Sequence, residues 1–334
     1  MKNSIFKSLA IACALTCLAS SVALAQGRSR TAPSLLASLP PSDAVAIINV
    51  NRVFDEALPK LLAENPAKAA EIAEELATFK RQTGLDPRSF QQIALGLGYT
   101  YPSPGITKIN TAAIARGTFN SGALVAAGRL AANGKYLEQK YQGKTIYVFS
   151  LDRQVKLLGL WNIKVSDLAV SALDGNTLAL GNLESVKAVV DASRTRKYAN
   201  PQLVEMATRN PNAIMGFGGT LSEALMQNLR LSNDTIAREL TAVRQVYGSL
   251  GMTATDLELM LTARTVDPAS AKNLSDTVEG LLQLGTFFVG RLSADKETLA
   301  RSAMKNLKVT TEGNELQIRT AVLQSQVAPL MRGN

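Results

Sequence analysis

The sequence predicts an α+β fold made of two similar copies, each a mainly antiparallel sheet covered by helices. Two observations lead to this prediction. Strand patterns joined by tight turns outnumber any strand–helix–strand series, and the same order of signals occurs twice along the 334 residues. We divide the chain into a signal peptide (1–25), a linker (26–40), a first copy (41–198) and a second copy (199–334).

The first residues have the layout of a secretory signal peptide. Lys2 and Lys7 precede an apolar run, and a small-x-small site ends at Ala25. The run is shorter than the roughly 20 residues that a membrane-spanning helix needs. We therefore expect cleavage after Ala25 and a periplasmic or secreted protein, with no transmembrane segment in the mature chain.

Two residue types that commonly carry enzyme chemistry are missing. The chain has no histidine, and its two cysteines, Cys13 and Cys17, lie in the predicted leader. The mature protein would then lack an imidazole base, a thiolate nucleophile, a disulfide framework and the usual zinc ligands. We expect a protein that is not an enzyme and has no cofactor or metal.

The net charge of +9 comes from 36 basic and 27 acidic residues that are mostly interspersed. Nucleic-acid-binding proteins instead tend to concentrate basic residues in one stripe with interleaved aromatic residues. The pattern therefore does not favour a nucleic-acid partner.

The first copy begins with a strand over 43–50, whose apolar character suits the centre of a sheet. A helical stretch follows over 51–84, divided near Pro66 and ended by Gly84. After a Pro- and Gly-rich excursion over 100–111, a strand leads to a helix of small residues over 121–133.

Two hairpins and a helix complete this copy. One hairpin turns at Gln142 and Gly143, and the other at Asp174 and Gly175, where we expect positive φ at both central residues. Asn182 is placed to cap the following helix.

The prediction of two copies rests on four pairs of similar segments in the same order. Each pair shares apolar positions and turn residues, and the last pair has a uniform offset of 170. The pairs are 41–58 with 211–225, 83–97 with 250–264, 116–130 with 264–278, and 135–149 with 305–319.

Several of these segments, together with the leader, resemble exported bacterial proteins with a duplicated α+β domain of unknown function. The resemblance is carried by "LPPSDAVAIINVNRVFDEAL", "GLDPRSF", "YQGKTIYVF" and "LDGNTLALGNLESVKAVVD". It implies an extracytoplasmic protein and brings no catalytic residues.

The stretch "PNAIMGFGGTLSEAL" looks superficially like a glycine-rich phosphate loop. However, Leu221 stands where the dinucleotide pattern needs its third glycine. Thr220 and Glu223 fit a capping box instead. We interpret Gly216, Gly218 and Gly219 as a strand-to-helix turn.

Two constellations could be taken for catalytic groups. Ser302 and Lys305 have the Ser-x-x-Lys spacing of a serine hydrolase that needs no histidine, but companion motifs are missing. Glu71, Glu74 and Glu75 have helical spacing, and nearby lysines predict a solvated, salt-bridged face. A hydrolase therefore stays an alternative.

Two apolar segments are candidate binding surfaces. The connector 156–165 contains the only tryptophan and predicts either a cover for the sheet or an exposed contact. The segment 280–292 predicts a buried helix or the lining of an apolar pocket. The candidate residues are Leu157, Leu158, Leu160, Trp161, Phe287 and Phe288.

From these observations we expect a non-enzymatic protein of the cell envelope. It would bind an envelope protein or a lipid-like ligand, and a purely structural role remains open.

Overall fold

A computed structural model gives the fold of residues 35–83, 86–103, 106–157, 161–228 and 239–327. The contacts divide these residues into two units. The N-terminal unit holds 35–100 and 109–204, and the C-terminal unit holds 101–108 and 205–327. Each unit contains antiparallel strands and helices, which confirms the predicted α+β class.

The N-terminal unit has its strands in the order β1-β2-β3-β7-β6-β5-β4, and every pairing described is antiparallel. A 3-10 helix over Leu35–Ser38 precedes β1, and consecutive helical segments over Val50–Arg52, Val53–Ala57 and Leu58–Leu61 follow it. The other elements are β1 (Ala44–Asn49), α1 (Pro66–Thr83), a 3-10 helix (Pro87–Ser89), β2 (Phe90–Ser103), β3 (Ile106–Gly117), α2 (Ser121–Ala131), β4 (Tyr136–Tyr141), β5 (Lys144–Leu157), β6 (Trp161–Asp174), β7 (Thr177–Gly181) and α3 (Leu183–Thr195).

The C-terminal unit has its strands in the order β11-β12-β10-β9-β8, again antiparallel. The helix α4 (Pro201–Thr208) crosses the division between the units. The elements that follow are β8 (Ala213–Thr220), α5 (Glu223–Asn228), β9 (Val243–Met252), β10 (Asp256–Thr265), α6 (Pro268–Val289), α7 (Ala294–Lys305), β11 (Lys308–Glu312), β12 (Glu315–Leu323) and α8 (Gln324–Val327).

The core of the C-terminal unit lies on one face of its sheet. Leu316 from β12 and Val243 from β9 pack with Leu274 from α6, and all three are buried. Side chains alternate between the two faces of a strand, so Glu315 and Gln317, on either side of Leu316, point to the opposite face. Helix α6 is thus held to the sheet by its first half.

Both predicted hairpins are present. Gln142 and Gly143 have φ of 49° and 79°, as the tight turn between β4 and β5 requires. The turn between β6 and β7 lies one residue later than predicted, because Asp174 is the last residue of β6 and accepts a bond from Asn176 N at 3.0 Å. The expected positive φ at Asp174 and Gly175 is therefore wrong.

Asn182 caps α3 as predicted, its side chain accepting from Ser185 N at 2.8 Å. The predicted capping box from Thr220 to Glu223 is wrong. Thr220 ends β8, and the hydroxyl of Ser222 accepts from Leu225 N at 3.1 Å instead.

The glycine cluster lies inside β8, so its interpretation as a strand-to-helix turn is also wrong. Gly216, Gly218 and Gly219 stand opposite Ser249, Tyr247 and Val246 of β9. Their backbone groups belong to a sheet ladder, whereas a phosphate loop presents free backbone N–H groups to the anion.

Candidate functional site: the exposed end of α6

Helix α6 begins at a well-defined cap and packs through its first three turns. The side chain of Asp267 accepts from Ser270 N at 2.7 Å, and this bond lowers the pKa of the carboxyl group. Ala271, Leu274 and Ser275 are buried against the sheet. Several exposed positions of this half carry charge, including Lys272 and Asp276, which form an ion pair at 2.9 Å.

The second half of α6 is different, because residues 280–290 carry no charge. Four of its large apolar side chains face solvent. Their exposed fractions are 46% for Leu281, 57% for Leu284, 77% for Phe287 and 59% for Phe288. Leu284, Phe287 and Phe288 follow Leu281 by three, six and seven positions, a spacing that places all four side chains on one side of a helix. We call these four residues the α6 apolar face.

The prediction that this segment is buried is therefore wrong for most of its length. In the described part of 280–290, Val289 is the buried residue. Phe287 and Phe288 were candidates in the sequence, whereas Leu281 and Leu284 were missed. The sequence signal that could have identified them is their spacing of seven and four residues from Phe288, together with the absence of charged residues in 280–290.

Helix α7 packs beside this end of α6 and adds basic residues to its rim. A Cβ added at Gly285 would lie 3.4 Å from Met304 Cε, and one at Gly290 would lie 3.8 Å from Arg301 Nη2. The guanidinium of Arg291 lies 5.4 Å from the ring centre of Phe288, which is a cation–π distance.

The segment 290–305, which follows the α6 apolar face in the chain, carries more basic than acidic residues. Between 290 and 305 the basic residues are Arg291, Lys296, Arg301 and Lys305, and all four are exposed. The same segment has two acids, of which Glu297 pairs with Arg301 at 2.7 Å. The neutral apolar ridge thus ends beside the cation Arg291 and is followed by a segment with more basic than acidic residues.

A polar network occupies the opposite face of the C-terminal sheet. Tyr247 is fully buried and donates to Glu315 Oε2 at 2.9 Å, while its hydroxyl accepts from Arg209. Arg264 Nη2 donates to Glu315 Oε1 at 2.7 Å. Burial, and then the bond to Glu315, raise the pKa of Tyr247.

This network borders an open depression of about 900 Å³ that also contains Glu258 and Gln317. Burial raises the pKa of Glu258, with a smaller contribution from the negative charge of Asp256. The lining mixes both signs of charge, and Tyr247, Arg264 and Glu315 bond one another. Fully satisfied networks of this kind fix the packing of a sheet, and we assign the network a structural role.

The candidate residues at the connector fall at the edge of what is described. Leu157 and Trp161 are backbone partners at the ends of β5 and β6. Their side chains, and the whole of Leu158 and Leu160, lie outside the described residues.

Ser302 and Lys305, the candidate pair of a Ser-Lys hydrolase, lie three residues apart on one helix. Both residues lie in the last turns of α7, with Lys305 exposed and Ser302 half-buried. Within 35–327 as described, no hydrogen bond joins the Ser302 hydroxyl to the Lys305 amine. A serine nucleophile needs such a neighbouring base.

The acidic face of α1 pairs with basic side chains, as predicted. Glu71 contacts Lys68 at 2.6 Å, and Glu74 contacts Arg81 at 2.6 Å. The bond from Arg81 lowers the pKa of Glu74. These carboxylates form the solvated helix face that the sequence predicts.

Two further kinds of feature, a metal-binding cluster and a membrane-spanning helix, are absent from the described residues. No three His, Cys, Asp or Glu residues lie close enough together there to hold a metal ion. In the same part of the chain, no helix combines the length and the apolar character that crossing a membrane requires.

No protein-family model matches the sequence, and no curated protein matches it. Among solved structures, the chain is similar to TP0453 in three crystal forms. The TM-scores for crystal forms I, III and IV are 0.43, 0.44 and 0.45, with sequence identities of 9%, 10% and 10%. The matches cover 91%, 91% and 92% of this chain and 98%, 99% and 100% of TP0453.

Proposed function

We propose that the chain is an exported, non-enzymatic protein of the cell envelope that binds an apolar partner through the α6 apolar face. The observation that carries the proposal is the exposure of Leu281, Leu284, Phe287 and Phe288 on one side of a helix end without charges. Soluble proteins rarely leave adjacent large apolar side chains exposed, and such patches usually mark interaction sites.

We also propose that the two units are copies of one another. The strand order β1-β2-β3-β7-β6 of one unit corresponds to β8-β9-β10-β12-β11 of the other. In each unit the third strand of this order is followed along the chain by a helix. Helix α2 follows β3, and helix α6 follows β10.

The strand order supports a different sequence alignment from the one predicted. It pairs β6–β7 with β11–β12, so that "DGNTLAL" (174–180) corresponds to "EGNELQI" (312–318). Equivalent backbone bonds follow, since Gly117 N donates to Asn176 O at 3.2 Å and Thr265 N donates to Asn314 O at 2.8 Å. It likewise pairs β2 with β9, so that "QQIALGLG" (91–98) corresponds to "RQVYGSLG" (244–251).

This correspondence bears on function because it gives α6 a counterpart. Helix α2 has 11 residues, whereas α6 has 22. Of the four buried residues of α6, Ala271, Leu274 and Ser275 lie in the first half, and Val289 is the one in the second half. The apolar end is thus longer than covering the sheet requires, which favours a role in binding.

Hydrogen exchange with neutral detergent micelles tests the proposal, with the micelle as a simple apolar surface. We expect backbone amides in 281–288 to become protected when micelles are added, and those of α2 (Ser121–Ala131) to stay unchanged. The double variant Phe287→Ser/Phe288→Ser should lose this protection. Unchanged exchange in α6, or equal protection of α2, would contradict the proposal.

A further inference from the structure

We infer that the partner of the α6 apolar face is the surface of a lipid bilayer that carries anionic headgroups. The inference rests on the proposed function and names its occupant. Three features of the C-terminal unit lead to it: the length of the uncharged helix end, the position of its aromatic side chains, and the basic residues at and after that end.

The length of the free end fits a helix that lies on a bilayer. The 11 uncharged residues 280–290 extend about 16 Å at a rise of about 1.5 Å per residue. The hydrocarbon layer is about 30 Å thick. The first half of α6 is held in the core through Leu274, so it cannot enter the layer. An apolar ridge of this size can be immersed only at the boundary between headgroups and acyl chains.

The aromatic residues lie at the end of this ridge, next to a cation. Phe287 is the most exposed member of the α6 apolar face, and Phe288 contacts the guanidinium of Arg291. A buried apolar side chain with a charged neighbour at its edge suits the bilayer boundary, where acyl chains and phosphate groups meet. Arginine pairs well with phosphate because two of its N–H groups can donate in parallel.

The basic residues at and after the helix end distinguish a lipid surface from a neutral apolar groove. Arg291 stands at the end of the ridge against Phe288, and the segment 290–305 that follows contains four basic and two acidic residues. Basic residues close to an anionic bilayer are each attracted to it, and the attraction weakens as salt is added. A neutral groove in a protein partner would not be attracted to the basic residues next to the apolar face.

Vesicle sedimentation tests the inference with the full mature chain. Vesicles of phosphatidylcholine with about one quarter phosphatidylglycerol are compared with vesicles of phosphatidylcholine alone. We expect the partition coefficient to be about tenfold higher for the anionic vesicles, and to fall as salt rises. The double variant Phe287→Ser/Phe288→Ser should lower it about tenfold.

The chain offers a matched control for the aromatic variant. Leu130 and Leu137 are exposed to 82% and 73% in the N-terminal unit, with the exposed Lys135 close in sequence. The variant Leu130→Ser/Leu137→Ser should bind vesicles like the wild type. A charge variant, Arg291→Gln/Lys305→Gln, should weaken binding to anionic vesicles severalfold and keep the micelle protection of α6. Circular dichroism verifies that every variant is folded.

The outcomes separate this inference from the proposed function. Protection of α6 by micelles without binding to anionic vesicles would overturn the lipid assignment, and the apolar face would then bind a protein. If the wild type shows neither protection of α6 by micelles nor binding to anionic vesicles, the inference and the proposed function are both refuted. If Leu130→Ser/Leu137→Ser weakens vesicle binding as much as Phe287→Ser/Phe288→Ser does, the inference is also overturned, since binding would not be specific to α6.

Discussion

The division of α6 into a buried half and an exposed half predicts very different costs for the same substitution. Leu274 lies in the first half and is 6% exposed, within the cluster that contains Val243 and Leu316. Leu284 lies in the second half and is 57% exposed. Leu274→Ala and Leu284→Ala remove the same atoms from one helix, so each is the control for the other.

The structure sets the size of the difference. Leu274→Ala loses the transfer free energy of a nearly fully buried side chain and leaves a cavity, at about 2–5 kcal/mol. Full burial of leucine is worth about 1.5–3 kcal/mol, and Leu284 has less than half of that to lose. Alanine also has a slightly better helix propensity. We expect about 0–1 kcal/mol for Leu284→Ala.

Urea unfolding, followed by far-ultraviolet circular dichroism, measures both costs. The midpoint should fall clearly for Leu274→Ala and remain near the wild-type value for Leu284→Ala, with similar slopes. If the two free energies of unfolding agree within about 0.5 kcal/mol, the second half of α6 is part of the core and the argument for a binding face fails.

Three further predictions concern the sheets and the leader. Because the folded state raises the pKa of Tyr247, the unfolded state loses its proton first, so wild-type stability should fall as pH rises above about 10. Tyr247→Phe should be less stable than the wild type by about 1–3 kcal/mol at pH 7 and should lack that alkaline loss in urea titrations. Gly117→Ala should strongly lower the midpoint of urea unfolding, since its Cβ would lie 2.0 Å from Ser89 O, whereas Gly98→Ala in β2 has open space and should be near neutral. Intact mass spectrometry of the native protein should show Gln26 as the first residue, and an uncleaved leader would contradict the predicted export.

Local signals in the sequence predicted local structure well. The turn at Gln142 and Gly143 was found because a break containing glycine separates two strand patterns there, and both residues adopt positive φ. The cap at Asn182 was found because an amide side chain there can accept from a free N–H group. Such features depend on a few neighbouring residues, so the sequence contains the necessary information.

Predictions that depended on where an element ends were less secure. Thr220 was taken as the first cap of α5, but β8 continues through it because pairing with Gln245 satisfies its backbone. Ser222 then takes the capping role. The sequence shows two hydroxyl residues near a helix start, and only the extent of β9 decides between them.

The exposed face of α6 was missed for a related physical reason. An uncharged helical segment has the same sequence whether its apolar residues meet a core or solvent, because periodicity reports which residues share a side and not what lies opposite. The deciding quantity is how much sheet there is to cover. In the N-terminal unit, α2 covers its strands with 11 residues, and α6 buries Ala271, Leu274 and Ser275 over a comparable length. The proposed match of α6 to α2, through β10 and β3, is what identifies the excess length beyond that point. The exposure of apolar side chains such as Phe287 is the observation that supports the proposed binding surface.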